Sequence, residues 1–594
     1  MATKKELVRG GGFLLEETKP ENMFTPEDLS EEHRMIAKMT AEFIEGEVLP
    51  QVEEIEGQNL EVTVRLLKQA GELGLLGADI PEAYGGSDLD KVSSGLITEN
   101  MVRGSSFGLS HGAHVGIGSL PIVLFGNDEQ KQKYLPGLAS GKWLAAYCLT
   151  EPSSGSDALG AKTTAVLNSD GTHYILNGTK QFITNAGFAD VFIVYAKIDG
   201  ERFTTFIVEK DFLGLSTGVE EKKMGIKGSS TRSLILEDCE VPVENVLGEI
   251  GKGHVIAFNI LNMGRHKLAI GSVGSSKWAI ELTVNYALER HQFNQPIAAF
   301  PLIQKKLADM AIRTYITESM VYRTTGLIDE AMRAIDKRSP DYGREIASAI
   351  AEYALECSIN KVFGSEALDF VADEGVQIHG GYGYTQEYPI ERIYRDSRIN
   401  RIFEGTNEIN RLLIPGALLK KAMKGELPLL GAAQKLQKEL ISYMPPSIDD
   451  TDPLVPEFAK LQAAKKIFLM VGGTAVMKYQ QKLEGEQEIL EALANLIIEI
   501  FAMESGLLRT QKALKRVGPD QAQQKVLMTQ VYIQEAFSRM ETIAKNTLTA
   551  VEQDEMLQLQ LSILKKLTRF PMRNTIPLKR EIAGRIIETE KYLA

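Results

Sequence analysis

The chain has 594 residues, which is about four domain-sized units at ~150 residues each; 44% of them are apolar and 24% charged, as in an ordinary globular protein. This excludes a disordered, collagen-like or disulfide-scaffold chain, and the three cysteines, Cys148, Cys239 and Cys357, stand too far apart for a C-x-x-C metal knuckle. The net charge of −13 speaks against a nucleic-acid partner and leaves any anionic ligand to a local basic site.

The N-terminus begins Met-Ala-Thr-Lys-Lys-Glu and soon turns acidic. It has neither the apolar core of a signal peptide nor the Arg-rich, acid-poor composition of a transit peptide, so a cytoplasmic location is expected. Residues 26–144 read as helical: segments 31–48 and 61–73 space apolar side chains by three and four. Residues 81–88 are a loop. Near Trp143 the texture changes, and 145–252 read as a β domain with strands at 191–198, 204–208 and 232–241. Tyr174-Ile175-Leu176 leads into Asn177-Gly178, a hairpin-turn signal.

From Gly253 long helices return at 255–290, 302–332 and 341–374, lengths that suit a bundle. Gly380 to Gly383 breaks the pattern, and a further helix starts after Asn407. A boundary is expected near Pro415. Beyond it 418–440 is amphipathic, and Pro445-Pro446 through Pro456 reads as a linker. Helices are expected at 459–480, 487–514 and 520–547. The apolar run 467–477 is too short for the ~20 residues of a membrane span. It reads as core, and Lys465-Lys466 leave a peripheral lipid contact open. The expected units are 26–144, 145–252, 253–415 and 416–594.

No Walker loop, H-E-x-x-H or G-x-S-x-G element stands out, and the histidines form no metal-spaced cluster. Three other strings carry chemistry. Tyr147 to Asp157 (Y-C-L-T-E-P-S-S-G-S-D) is a hydroxyl-rich loop after an apolar strand; it offers backbone donors, although the pattern alone favours a plain surface loop. Gln377 to Tyr384 holds glycines that permit close approach to a ligand. Glu404 stands between Phe403 and Gly405 beside an apolar run. An apolar setting raises a carboxyl pKa from ~4.3 toward the range of a working base. A glutamate salt-bridged to the nearby arginines is the other reading of those residues.

Together these strings, with Lys180-Gln181-Phe182-Ile183-Thr184-Asn185 and Arg290-His291-Gln292-Phe293, resemble the acyl-CoA dehydrogenase family over residues 31–415. The resemblance implies a mainly α fold: a helical N-terminal domain, a central β-barrel domain and a four-helix bundle, here with an added C-terminal helical domain. It implies FAD between β domain and bundle, partly across a subunit boundary, in a homodimer or homotetramer. Tyr147, Leu149, Thr150 and Ser156 match flavin-side or substrate-side loop positions, and Phe182 and Thr184 match residues beside the flavin ring. Arg290, Phe293, Gln377, Gly380 and Gly381 match contacts to the partner subunit's FAD. Thr406 and Glu408 match further FAD contacts. Ser156, Asn262, Arg265 and Gly405 match substrate positions, with Arg265 and Lys267 the candidates to meet the anionic CoA.

The implied reaction is α,β-dehydrogenation of a fatty acyl-CoA to the trans-2-enoyl-CoA, the first step of β-oxidation. Glu404 takes the α-proton and the flavin takes a hydride. The Glu404 backbone N–H and a flavin ribityl hydroxyl meet the charge on the thioester oxygen. Electrons pass to an electron-transfer flavoprotein. Some branches place the base just before Arg265; Gly264 stands there, so the base is at 404. Many members have Gln where this chain has Pro301, with Gln304 the candidate replacement. The added residues 416–594 resemble the very-long-chain branch, as do Gly112-Ala113-His114 and Asn262-Met263-Gly264-Arg265. Gly108, Gly112, Gly116 and Gly118 either leave room for a long acyl chain or serve helix packing. Two alternatives stay open: an acyl-CoA oxidase using oxygen, and a non-catalytic scaffold on the same fold.

Overall fold

The computed structural model describes residues 7–339, 341–440 and 453–594. Most of the expected linker lies outside the described residues; its last residues, Val455 and Pro456, already open a helix.

Side-chain caps set the N-terminal helices. Ser30 accepts the His33 N–H at 3.1 Å and opens Glu31–Phe43; Asp90 accepts that of Ser93 at 2.8 Å and opens Lys91–Met101. Asn127 and Gln130 form a reciprocal capping box at the start of Asp128–Ala139. The expected run 31–48 ends its regular helix at Phe43 and widens over Ile44–Val48. Pro50 explains this, since its ring clashes with the carbonyl four residues back.

The β unit has strands β1 (Ala145–Cys148), β2 (Thr164–Leu167), β3 (His173–Thr184), β4 (Val191–Ile198), β5 (Arg202–Glu209), β6 (Leu215–Thr217), β7 (Thr231–Pro242) and β8 (Val246–Leu247). The sheet order is β6-β7-β3-β2-β4-β5-β8, with β1 pairing parallel to β4. β4 is buried almost throughout because it packs on both faces. The expected hairpin at Asn177-Gly178 does not form. β3 runs straight through, and its register on β7 slips between Leu176 and Gly178. Gly178 takes φ +155°, and a Cβ there would lie 2.4 Å from the Thr163 hydroxyl. The dipeptide marks a bulge, because pairing with β7 on both sides outweighs the local turn preference.

The bundle follows. Gly253–Glu289 and Pro301–Arg333 appear as expected, whereas the expected run 341–374 divides into Tyr342–Glu352 and Ala354–His379. Pro415 lies inside Asn407–Met423, buried between Ile414 and Leu418, so one helix crosses the position where a break was expected. The C-terminal region contributes Leu429–Leu440, Val455–Tyr479, Gln487–Val551, Asp554–Leu567 and Thr575–Thr589. Gln487–Val551 is kinked at Gly518 (φ +80°), just before Pro519. The apolar core of the bundle continues into this region without interruption.

Ile467, Val471 and Ala475 are fully buried, and Lys465 donates to Glu504 at 2.7 Å inside the core. That lysine is therefore turned away from any lipid surface. Among the described residues, Ser106–Phe125 is a helical stretch long and apolar enough to cross a membrane, and most of it is buried inside the protein. The first described residues also enter the core. The Gly10 and Gly11 N–H groups donate to Glu352 and Glu356 (2.9 and 2.7 Å), and Phe13 packs on Phe501.

Candidate active site

Glu404 takes φ +57° and Gly405 takes +80°, just before the helix Asn407–Met423. A non-glycine residue holds that left-handed conformation only where its surroundings enforce it. Here side chains from three helices hold the carbonyls of the turn. Arg265 donates to the Glu404 carbonyl (3.1 Å) and Lys361 to that of Gly405 (2.7 Å). Asn410 donates to the Gly405 and Thr406 carbonyls (2.9 and 3.0 Å). The Thr406 hydroxyl caps the next helix by accepting the Ile409 N–H.

The carboxyl of Glu404 lies against Gly264: a Cβ on that residue would come within 2.6 Å of Oε2. Oε2 is buried and has no hydrogen-bond partner among the described residues. Burial raises the pKa to about 7, against the opposing pull of Arg265 and Lys361. Burial likewise lowers Lys361 to about 8. The reading of Glu404 as a simple salt-bridged residue therefore fails, since neither cation touches its carboxylate.

Glu404, Gly264 and Thr184 share the wall of a cavity of about 230 Å³ between the N-terminal helices, the β unit and the bundle. Gly112 and Gly116 also line it. A Cβ on Gly112 would meet nothing, and one on Gly116 only the Lys267 stem at 3.6 Å. Gly108 lines it too, but a Cβ there would lie 2.5 Å from the Met101 carbonyl, and one on Gly118, outside the cavity lining, 2.7 Å from the Ala145 Cβ, so both allow close packing. A second cavity, about 270 Å³, lies beside Arg323 and Lys512 and holds none of the expected site residues.

The β unit presents its share beside this cavity. Tyr147 on β1 packs edge-on to Tyr195, and its hydroxyl is buried without a partner among the described residues. The loop bearing Leu149, Thr150 and Ser156 is tied down from within. Lys180, fully buried, donates to Glu151 (2.7 Å) and to the Leu149 carbonyl (3.3 Å), and Glu151 accepts the Lys162 and Thr163 N–H groups. Ser156 stays exposed. A second bulge of β3 between Lys180 and Ile183 turns Phe182 (φ +58°) outward, leaving it 62% exposed.

Arg290, Phe293, Gln377, Gly380 and Gly381 form a separate exposed group outside the cavity. Phe293 and Asn294 (φ +52° and +62°) make the two-residue turn of a short hairpin, which leaves Phe293 88% exposed. The Arg290 guanidinium sits 5.8 Å from the Tyr382 ring centre. A Cβ on Gly380 or Gly381 would meet nothing.

Asn262 and Arg265 are both buried and bonded to each other at 3.0 Å. Lys267 pairs with Asp79 at 2.8 Å, so it is not a free cation for CoA. Glu408 is exposed. Pro301 opens its helix, and Gln304 donates to the Ala298 carbonyl at 3.3 Å. Sequence reasoning missed Lys361 and Asn410. The signal for Lys361 was a lone lysine among the apolar Ile359, Val362 and Phe363.

Models of the acyl-CoA dehydrogenase N-terminal, middle and C-terminal domains match residues 30–142, 146–239 and 251–419, and a second acyl-CoA dehydrogenase C-terminal domain matches 463–566. A probable acyl-CoA dehydrogenase of Bacillus subtilis is 60% identical over 587 residues, 99% of each chain. The human mitochondrial very long-chain specific acyl-CoA dehydrogenase is 37% identical over 77% of this chain and 71% of its own. The crystal structure of an acyl-CoA dehydrogenase complexed with FAD from Bacillus anthracis superposes with a TM-score of 0.97 at 62% identity, covering 99% of this chain and all of that one.

Proposed function

The chain belongs to the acyl-CoA dehydrogenase family, and on that premise we propose that it oxidises long-chain fatty acyl-CoA at the α,β bond with FAD as its cofactor. The observation that carries this is the Glu404 carboxyl. Its Oε2 is buried, its pKa is raised to about 7, and it faces a cavity through the gap left by Gly264.

The residues present fit FAD. Phe182 projects from a bulge beside the cavity, Thr184 lines it, and the Tyr147 hydroxyl is unpartnered. FAD, when bound, supplies the acceptor for the hydride leaving the β carbon. Glu404 takes the α-proton: a base with pKa about 7 is about half ionised at neutral pH and still basic enough to accept it. The backbone N–H of Glu404 donates to no group among the described residues and is left for the thioester oxygen. Arg265, Lys361 and Asn410 position the turn. The product is the trans-2-enoyl-CoA, as in the first step of β-oxidation.

Arg290, Phe293, Gln377, Gly380 and Gly381 are assigned to the FAD of a second subunit, which makes the protein a homo-oligomer. Exposure of all five supports this. Thr406 and Glu408 are assigned to FAD as well. Ser156, Asn262, Arg265 and Gly405 are assigned to the acyl-CoA, an electron-transfer flavoprotein is the electron acceptor, and the location is the cytoplasm. Residues 416–594 and the open space at Gly112 and Gly116 support the long-chain reading.

The test is anaerobic addition of palmitoyl-CoA to the yellow holoenzyme. Bleaching is expected in the wild type and not in Glu404→Gln, which keeps its FAD. Bleaching that survives the substitution overturns the assignment of the base. Rates across acyl-CoAs of graded length decide the long-chain reading, which a maximum at butyryl-CoA removes. Peroxide release during turnover would replace the flavoprotein acceptor by oxygen.

A further inference from the structure

One wall of the Glu404 cavity is polar where an alkyl chain would call for carbon. His111 and Lys267 both line it. His111 is 3% exposed, and its Nε2 lies 3.0 Å from the Leu75 carbonyl. Nε2 must carry the hydrogen there, so Nδ1 is left as an acceptor, and it has no partner among the described residues. Lys267 sits three residues beyond Gly264 on the same helix, ~4.5 Å along its axis at 1.5 Å per residue. Its ammonium gives one hydrogen to Asp79 (2.8 Å), and the other two have no acceptor among the described residues. Asp79 itself is saturated by Lys91, Lys267 and Ser94.

We propose that this pair receives a hydroxyl group on the acyl chain, a few carbons beyond the reacting bond, so that hydroxyacyl-CoAs are preferred over plain acyl-CoAs of the same length. This rests on the cavity being the acyl site, as argued above. A hydroxyl satisfies both partners at once: it accepts from Lys267 and donates to His111 Nδ1. A carboxylate does not. Its lone pairs would face that of Nδ1, and burial keeps the ring neutral, its pKa lowered to about 3. The local charges also leave no surplus for an anion. Lys91 and Lys267 are balanced by Asp79 and by Asp329, which accepts the Lys91 and Val92 N–H groups and, though raised to about 6, is ionised at neutral pH. An alkyl chain would leave the His111 Nδ1 and two of the Lys267 hydrogens unmet.

The experiment compares kcat/KM of the holoenzyme for hexanoyl- and octanoyl-CoA with their hydroxylated counterparts, the hydroxyl moved carbon by carbon along the chain beyond the β position. One position is expected to exceed the parent by ~10-fold or more, the discrimination a built hydrogen-bonding site gives. Lys267→Met and His111→Leu should each abolish the preference and improve the plain substrate. Asp79 keeps Lys91 and Ser94 in Lys267→Met, and retained FAD absorbance verifies the fold of each variant. His111→Gln, which retains an acceptor, should keep part of the preference. Equal or better rates for the plain acyl-CoAs at every position overturn the proposal while leaving the dehydrogenase reading intact. Adipyl-CoA outrunning hydroxyhexanoyl-CoA would overturn it in favour of an anion site. No bleaching with any acyl-CoA would instead overturn the dehydrogenase reading.

Discussion

Glu404 acquires its chemistry from where its carboxyl lies. Burial disfavours the ionised form, and the nearest cations bind backbone carbonyls instead of the carboxylate. The folded chain therefore holds the Glu404 proton more tightly than the unfolded chain between pH 4.5 and about 7. Stability from this group is greatest below that window and falls as pH rises through it. Glu404→Gln, which stays neutral, should be no more stable than wild type near pH ~4 and more stable by up to ~3 kcal/mol near pH ~8. Urea denaturation at the two pH values measures this, and equal differences at both would show an unshifted carboxyl. The acidic limb of kcat/KM is expected near pH 7 for the same reason.

At the scale of the element, the helix Gly253–Glu289 forms one wall of the site by what it omits. Gly264 gives the carboxyl its room, and Gly274 lets the helix meet the Glu99 carbonyl, where a Cβ would lie 2.0 Å away. Gly264→Ala should displace the Glu404 carboxyl and cut kcat by roughly 100-fold, the cost of a misplacement of about 1 Å. The visible spectrum of bound FAD should remain. A variant with wild-type kcat would show that the carboxyl works from another rotamer. β3 makes its contribution through two bulges: one lets Gly178 pass Thr163, and the other lifts Phe182 out of the sheet. The sequence shows Asn177-Gly178 plainly but not its partner strand, so the local turn preference was read where the pairing of β3 with β7 prevails.

At the scale of the molecule, a buried set of charges joins three distant parts of the chain. Arg509 donates to Glu318 of the bundle (2.7 Å) and to Glu27 near the N-terminus (2.8 Å). Lys277 and the Tyr592 hydroxyl also reach Glu318, and Glu504 receives Arg323 and Lys465. Arg509, Glu318, Glu504, Arg323 and Lys465 are buried, so removing one strands its partners in low dielectric. Arg509→Met should lower the unfolding free energy by ~3–5 kcal/mol, read by denaturant titration. A loss below ~1 kcal/mol would mark the pair as solvent-screened. The C-terminal region is thus built into the bundle rather than tethered to it, as the passage of Asn407–Met423 through Pro415 also shows.

The sequence by itself determined the helical and β textures, the family strings and the candidate base. These are properties of periodicity and of contiguous residues, which survive without coordinates. Glu404 was legible because its neighbours Phe403 and Gly405 are adjacent in the chain. Lys361, Asn410, Asp79 and His111 were not legible as parts of a site: each acts through a contact between separate elements, and spacing along the chain carries no record of which elements meet. Only the tertiary structure decided that Arg265 holds a backbone carbonyl, that Lys267 pairs with Asp79, and that a Cβ has room at Gly112 but not at Gly108. Those outcomes depend on packing, because burial sets both the cost of an unpaired charge and the room left for a ligand.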